Sequence, residues 1–276
     1  MANQKIFKTL DEQIEILENK GLIINDIEKT KDIILRENYF FIMGYRHLFL
    51  KEDHSKQFKN GTTFEELYAL FVFDRMFRNI IFKNILIVEN NYKSILSYTL
   101  SKKYGYKEKD YLNPKNFDED KARSRQINDL IRKVKRQYRV NGLQHGATIH
   151  YIENYGYIPF WIGIKVISFG LISEMFSVLK PIDKKEVADV YHIEPDEMQV
   201  YLPILANYRN LCAHEDILYE NKTQKEKVNI DYLLNIFIIL SRRPSSSCIS
   251  VLSNFCNYSL TNSISFAFPA IWIYFS

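Results

Sequence analysis

The sequence predicts an all-α protein, and three observations carry that expectation. Only 9 glycines and 7 prolines occur in 276 residues, too few to punctuate a chain of many short strands. From Phe64 to Tyr104 neither residue occurs. Further on, Ile127, Leu130, Ile131, Val134 and Tyr138 recur at the three- and four-residue steps of one helical face. Tyrosine and phenylalanine, 19 of each, furnish an aromatic-rich core for such helices. With 46% hydrophobic and 25% charged residues the chain is globular and not disordered. At this length it can bury about three-quarters of its unfolded surface.

Composition also excludes some functions. The formal net charge of +4 is too small to identify a nucleic-acid binder by itself, so the distribution of charge has to decide. Cys212, Cys248 and Cys256 lack paired zinc-ligand spacing, and neither a metal nor another cofactor is expected. Met1 to Lys5 leads into a charged amphipathic segment, not an apolar signal region. The expectation is a soluble protein of the reducing cytoplasm with no membrane partner.

The elements follow in order. Thr9-Leu10-Asp11-Glu12 reads as a capping box opening a helix with Leu10, Ile14 and Leu17 on its apolar stripe and Gly21 as a left-handed close. A second short helix begins near Asp26 and uses Ile27, Ile34 and Leu35; the pair has helix-turn-helix form, for which simple packing onto the main bundle is the preferred explanation. Residues 38–50 are aromatic and ambiguous between helix and buried strand. Lys51 to Gly61 is a polar loop, and Thr63-Phe64-Glu65-Glu66 is a second capping box. An unbroken helix over 64–104 would be about 60 Å long, so a bend is expected near Asn90-Asn91. On it Asp74 and Arg78 are spaced for an ion pair along one face.

Gly105 to Asp118 is a turn-rich linker. It introduces the most basic stretch, 121–139, in which Arg123, Arg125, Arg132, Lys133, Lys135, Arg136 and Arg139 surround the apolar stripe. RNA-backbone contact and a plainly solvated face are both open for it. His145 and His150 fall in an expected loop without ligand-spaced partners. Pro159-Phe160-Trp161 opens an apolar helix through Ile167, with Phe160 and Trp161 expected in the core in preference to a base-stacking platform, a break or tight packing point at Phe169-Gly170, and an end at Pro181. A charged helix spans Asp183 to Tyr191, and Pro195 starts the helix that ends the recognisable pattern. A helix from about Val228 to Leu240 precedes a tail that lacks acidic residues from Tyr232 onward.

The helix begun by Pro195 delivers Tyr208-Arg209-Asn210-Leu211-Cys212-Ala213-His214. Arginine offers a permanently charged fork for phosphate oxygens, and histidine transfers protons near neutrality. At about 100° per residue, Arg209 and His214 are roughly 140° apart, whereas Asn210 and His214 share a face. Asn210 can therefore orient the imidazole, and Arg209 must reach around or act on a phosphate held by a second copy. On spacing alone, an Arg paired with Glu215 or Asp216 and a helix-terminal His explain the motif as well. Cys212 reads as a small packing residue, with a nucleophilic thiol as the alternative.

Arg209-Asn210-x-x-x-His214 resembles the R-x4-6-H motif of HEPN domains, whose active members are metal-independent ribonucleases. The chain around it resembles the Abi-like (abortive infection, AbiD/AbiF type) branch of that superfamily, from Thr9 to about Tyr219. The resemblance is carried by Gln13-x-x-x-Leu17-x-x-x-Gly21-Leu22, Asn38-Tyr39-Phe40, Gly44-Tyr45 and Gly61-Thr62-Thr63-Phe64-x-x-Leu67. It continues through Phe73-Asp74-Arg75-x-x-Arg78, Glu89, Pro159-Phe160-Trp161, Phe169-Gly170 and Leu218-Tyr219.

The resemblance implies a HEPN-type helical bundle with an added N-terminal helical layer: residues 1–60 as the layer, 61–242 as the domain carrying the motif, and 243–276 as a tail of uncertain structure. It implies Arg209, Asn210 and His214 as catalytic residues of an endoribonuclease acting through 2′-hydroxyl attack. Arg75, Arg78 and the basic residues of 121–139 become candidate RNA contacts, and Glu89 a partner of a motif residue. It further implies a homodimer with facing motifs, an antiphage role, and an antitoxin or structured RNA as restraint. The rival expectations are a non-catalytic HEPN module that binds a structured noncoding RNA, and a regulatory partner or nucleotidyl-transfer target with HEPN form only.

Overall fold

The computed structural model describes residues 6–53 and 55–218, together with Ile236 and Leu240. The protein is all-α, with no strand among the described residues. Its helices are α1 (Leu10–Asn19), α2 (Ile27–Glu37), α3 (Tyr39–Met43), α4 (Phe64–Tyr104), α5 (Glu108–Tyr111), α6 (Ser124–Asn141), α7 (Gly146–Tyr155), α8 (Phe160–Gly163), α9 (Phe169–Ser177), α10 (Pro181–Asp189) and α11 (Pro195–Ala213). They divide between two compact units. Residues 6–80 with 215–218 form the first, and residues 81–214 with Ile236 and Leu240 belong to the second.

In the first unit both expected capping boxes are present. Thr9 accepts the Glu12 amide while Glu12 accepts the Thr9 amide, and Thr63 and Glu66 repeat the exchange, satisfying amides that a helix start leaves without partners. Gly21 is left-handed as its position requires, at φ 84°. Residues 38–50, ambiguous in the sequence, are helical: α3 runs into a 3-10 turn at Gly44–Phe49. Ile14, Leu17, Ile34, Ile42, Tyr45, Phe64, Leu67 and Phe71 meet in the core. Two expectations fail in α2, where Ile27 and Leu35 face solvent at 43% and 68% exposure and Thr30 and Ile34 are the buried pair.

Helix α4 is one uninterrupted element, with no break at Asn90-Asn91. Both asparagines are exposed, so their side chains do not compete with the helix for backbone partners inside the unit. In the second unit Ile81, Ile85, Val88, Tyr92, Leu96 and Leu100 form its buried stripe. Helix α9 lies at the centre of this unit, buried at Phe169, Leu171, Ile172, Ser173, Met175 and Phe176 and packed on α11 and α6. Tyr92 meets the rings of Phe169 and Phe176 at 6.5 and 6.3 Å.

Three boundaries differ from the sequence reading. His150 lies on α7 and not in a loop. The apolar helix breaks at Ile167-Ser168, because extended Ile167 leads to Ser168, whose hydroxyl caps α9; Phe169-Gly170 is the start of α9, not its interruption. Pro181 begins α10, where its missing amide costs nothing. The C-terminal end of α4 is fastened to α10 by Asp183, fully buried, which pairs with Lys103 and accepts from the Tyr104 hydroxyl at 2.7 Å. Tyr219, all but Ile236 and Leu240 of the expected 228–240 helix, and the tail from 243 fall outside the described residues; those two are helical and buried.

Candidate phosphate-binding site

Helix α11 starts with a capping box between Glu194 and Glu197 and with Pro195 in its first turn. Leu205, Tyr208 and Cys212 turn inward at 0%, 1% and 7% exposure, so Cys212 is part of the packed face. That face fixes the rotation of the helix and thereby the directions of its last-turn residues. Arg209 emerges at the edge of the packed surface, while Asn210 and His214 are exposed. The helix ends at Ala213, with His214 as its cap residue donating its amide to the Asn210 carbonyl at 2.9 Å.

Arg209 is turned toward α4. Its Nε lies 3.5 Å from Oε2 of Glu89, and its guanidinium carbon lies 5.8 Å from the Phe82 ring centre. Phe82 and Glu89 are seven residues apart on α4 and share a face. Glu89, 5% exposed, also receives Lys93, whose Nζ is 2.7 Å from Oε1. One carboxylate is thus shared by two cations, which leaves this cluster with positive charge. The contact between Arg209 and Glu89 is an ion pair and not a hydrogen bond, since neither Nε nor Oε2 has a hydrogen-bond partner among the described residues; it draws the guanidinium toward α4 by charge. Lys93 and Phe82 escaped the sequence reading, although the four-residue step from Glu89 to Lys93 was a visible signal.

The arginines proposed on the first half of α4 are placed otherwise. Arg78, 2% exposed, is ion-paired with fully buried Asp74 and donates to the Tyr45 hydroxyl at 2.9 Å and the Asp216 carbonyl at 3.3 Å. Asp74 also accepts the Tyr45 hydroxyl at 2.7 Å and the Leu218 amide at 3.0 Å. Burial, and then the Asp74 carboxylate, pushes the Tyr45 hydroxyl well above its ordinary range, so it remains a donor. Arg78 therefore organises its own unit, with its guanidinium turned inward and not toward solvent. Arg75 is held by Glu37 through two hydrogen bonds, at 2.9 and 2.5 Å, and lies over Phe71. It is one-third exposed but already bidentately paired.

The basic helix α6 buries Ile127, Leu130, Ile131, Val134 and Tyr138, the stripe its sequence prescribes. Its cations fall into two groups. Arg123 bonds to the Ser177 carbonyl at 2.6 Å and pairs with Asp118, Arg132 pairs with Asp129, and Lys133 bridges Asp129 and Glu174. Lys133, and then Arg132, hold the Asp129 carboxyl below its ordinary range. Arg125, Lys135, Arg136 and Arg139 are exposed and form no ion pair with a carboxylate among the described residues. Arg136 also lines an open groove with Gln137, Asn141, Ser168 and Glu174.

Among the described residues no three His, Cys, Asp or Glu side chains are gathered as metal donors would be. None of the described helices is long and apolar enough to cross a membrane.

No curated protein and no solved structure matches the chain. A family profile does: that of the Abi-like proteins, over residues 32–220. The matched stretch starts within α2 and leaves out α1, and it takes in Tyr45, Asp74, Arg78, Glu89 and the whole Arg-His motif. Because the match covers well over half of the sequence, the chain belongs to the Abi-like protein family.

Proposed function

We propose that the protein is a HEPN-type endoribonuclease of an abortive-infection system, acting without a metal ion. The observation that carries this reading is the arrangement at the end of α11: Arg209 is anchored by Glu89, with Asn210 and His214 exposed beside it. In the proposed reaction the ribose 2′-oxygen attacks the adjacent phosphorus, a base removes the 2′-hydroxyl proton, and the P–O5′ bond breaks as the 5′-oxygen gains a proton. His214 serves in one of these proton transfers. Arg209 stabilises the charge that accumulates on the phosphoryl oxygens, and Asn210 orients His214 or the phosphate. The products are a 2′,3′-cyclic phosphate, which can open to a 3′-phosphate, and a 5′-hydroxyl.

Such a reaction uses both a base and an acid, whereas each motif supplies one histidine. Two motifs facing each other in a homodimer supply both, which also accommodates the angle between Arg209 and His214. A structured RNA or an antitoxin would restrain the activity. A second reading, a non-catalytic module holding a structured noncoding RNA, is favoured by exposed Arg125, Lys135, Arg136 and Arg139 on α6.

The deciding experiment is cleavage of a mixed RNA pool in excess EDTA by the wild type and by His214→Ala, matched for folding and oligomeric state. Cutting by the wild type alone, with 2′,3′-cyclic or 3′-phosphate ends, supports the ribonuclease. If neither protein cuts and both bind RNA tightly, the binding module replaces it.

A further inference from the structure

The second unit carries a connected run of aromatic rings that the proposed cleavage does not use. Trp161 lies 5.7 Å from Tyr106, Tyr106 lies 5.6 Å from Tyr157, Tyr157 lies 6.4 Å from Tyr155, and Tyr155 lies 5.3 Å from Tyr151. His150 closes the far end, 6.0 Å from Tyr155. This is not a core cluster. Tyr155, Trp161 and Tyr106 are 57%, 45% and 41% exposed, which overturns the sequence expectation that Trp161 is buried. Phe160 beside it takes the core position, fully buried and stacked on Tyr111 at 4.3 Å.

Neighbouring rings are tilted by 34° to 56°, so they do not cover one another's faces. The run also carries a cation: the Lys107 ammonium lies 4.8 Å from the Tyr157 ring centre and 5.9 Å from that of Tyr106. Of the carboxylates on these elements, Glu108 is engaged by the Ile158 amide at 2.9 Å, Asp110 is half-buried on α5 beside Gly105, and Glu153 is exposed on α7. Its foundation is rigid. The Tyr111 hydroxyl bonds to the Ile158 carbonyl at 3.2 Å and to the Tyr138 hydroxyl of basic helix α6 at 3.1 Å. Helix α8 approaches α6 so closely at Gly163 that a Cβ there would lie 2.6 Å from the Tyr138 ring.

We propose that this run of rings is a stacking platform for the bases of single-stranded RNA, with Lys107 meeting the phosphate between stacked nucleotides. Flat apolar faces repeated along a surface, beside a positive charge, complement a polyanion that bears flat bases. An apolar peptide would leave Lys107 without a counter-charge, and a duplex would present no base faces. The platform engages any base, because stacking needs only a ring face. It rests on the RNA reading for its ligand and not on cleavage.

The test uses the full chain carrying Trp272→Phe, so that of the two tryptophans Trp161 alone reports by fluorescence. The ligands are a short 2′-O-methyl oligoadenylate, which lacks the nucleophile and stays intact, and the same backbone without bases. The base-bearing oligomer is expected to quench Trp161 saturably and to bind about tenfold or more tighter than the abasic one. Tyr155→Ala, at an exposed position, should weaken binding about tenfold with an unchanged melting temperature. Equal affinity for both oligomers, binding without quenching, or undiminished binding by Tyr155→Ala overturns the platform. Cleavage of the RNA pool by the wild type is scored separately: cutting without quenching ends the platform alone, and quenching without cutting ends the ribonuclease alone.

Discussion

Arg209 and Glu89 form an ion pair that ties the last turn of α11 to the middle of α4, with Nε 3.5 Å from Oε2. Glu89 is the more deeply buried partner and holds Lys93 as well, so it is the fixed point of the pair. It orients an arginine that would otherwise sample many rotamers, the kind of support a preorganised phosphate site needs. Glu89→Gln should lower RNA cleavage at least tenfold while His214 remains in place, read as initial rates in EDTA. Unchanged cleavage would show that the pair is structural only.

Replacing Arg209 by lysine separates charge from shape. Lysine keeps the positive charge and loses the planar fork, so cleavage should fall about 100-fold or more with folding retained. Equal rates for the two proteins would remove Arg209 from the chemistry.

Asp74 and Arg78 predict a different outcome, measured as stability. Both are almost wholly buried, and Asp74 additionally holds Tyr45 and the Leu218 amide. Asp74→Ala leaves a buried guanidinium without its counter-charge and should cost about 3–5 kcal/mol in denaturant unfolding. Tyr45→Phe removes only hydroxyl contacts and should cost about 1–2 kcal/mol. A surface-like cost for Asp74→Ala, below about 1 kcal/mol, would contradict the cluster's role.

Gly163→Ala places a methyl group against Tyr138. Its backbone is right-handed, so crowding and not conformational freedom is at stake. A loss of about 1–3 kcal/mol is expected by thermal unfolding, and Tyr138→Phe in the same chain should recover part of it.

The Glu37–Arg75 pair makes stability depend on pH. Hydrogen bonding to Arg75 holds the Glu37 carboxyl below its reference value of 4.5, against a smaller opposing effect of burial. A depressed native value means that the unfolded chain binds the proton first on acidification. The stabilisation is therefore complete above the reference value and is lost as the pH falls through the native one. Glu37→Gln should flatten the acid side of a stability–pH curve; an unchanged slope there would show that other carboxyls set it.

Much of the architecture was written locally in the sequence. Thr9 with Glu12, and Thr63 with Glu66, determine helix starts because a cap needs only residues three apart. The stripe from Ile127 to Tyr138 fixes which side of α6 is buried, because a helical period is itself a local property. The Arg-His spacing likewise fixes Asn210 and His214 one turn apart, and the ordered motifs identify the family. The tertiary structure decided which charges are used. The four-residue step from Asp74 to Arg78 announces their ion pair but not its burial, to which Asp216 and Leu218, more than 130 residues away, contribute by closing the clamp. Trp161 and Phe160 are adjacent and apolar, and only the packing of Tyr111 and Tyr106 sends one inward and the other to the surface. Burial and pairing depend on partners distant in the chain, and a local pattern carries no record of where those partners arrive.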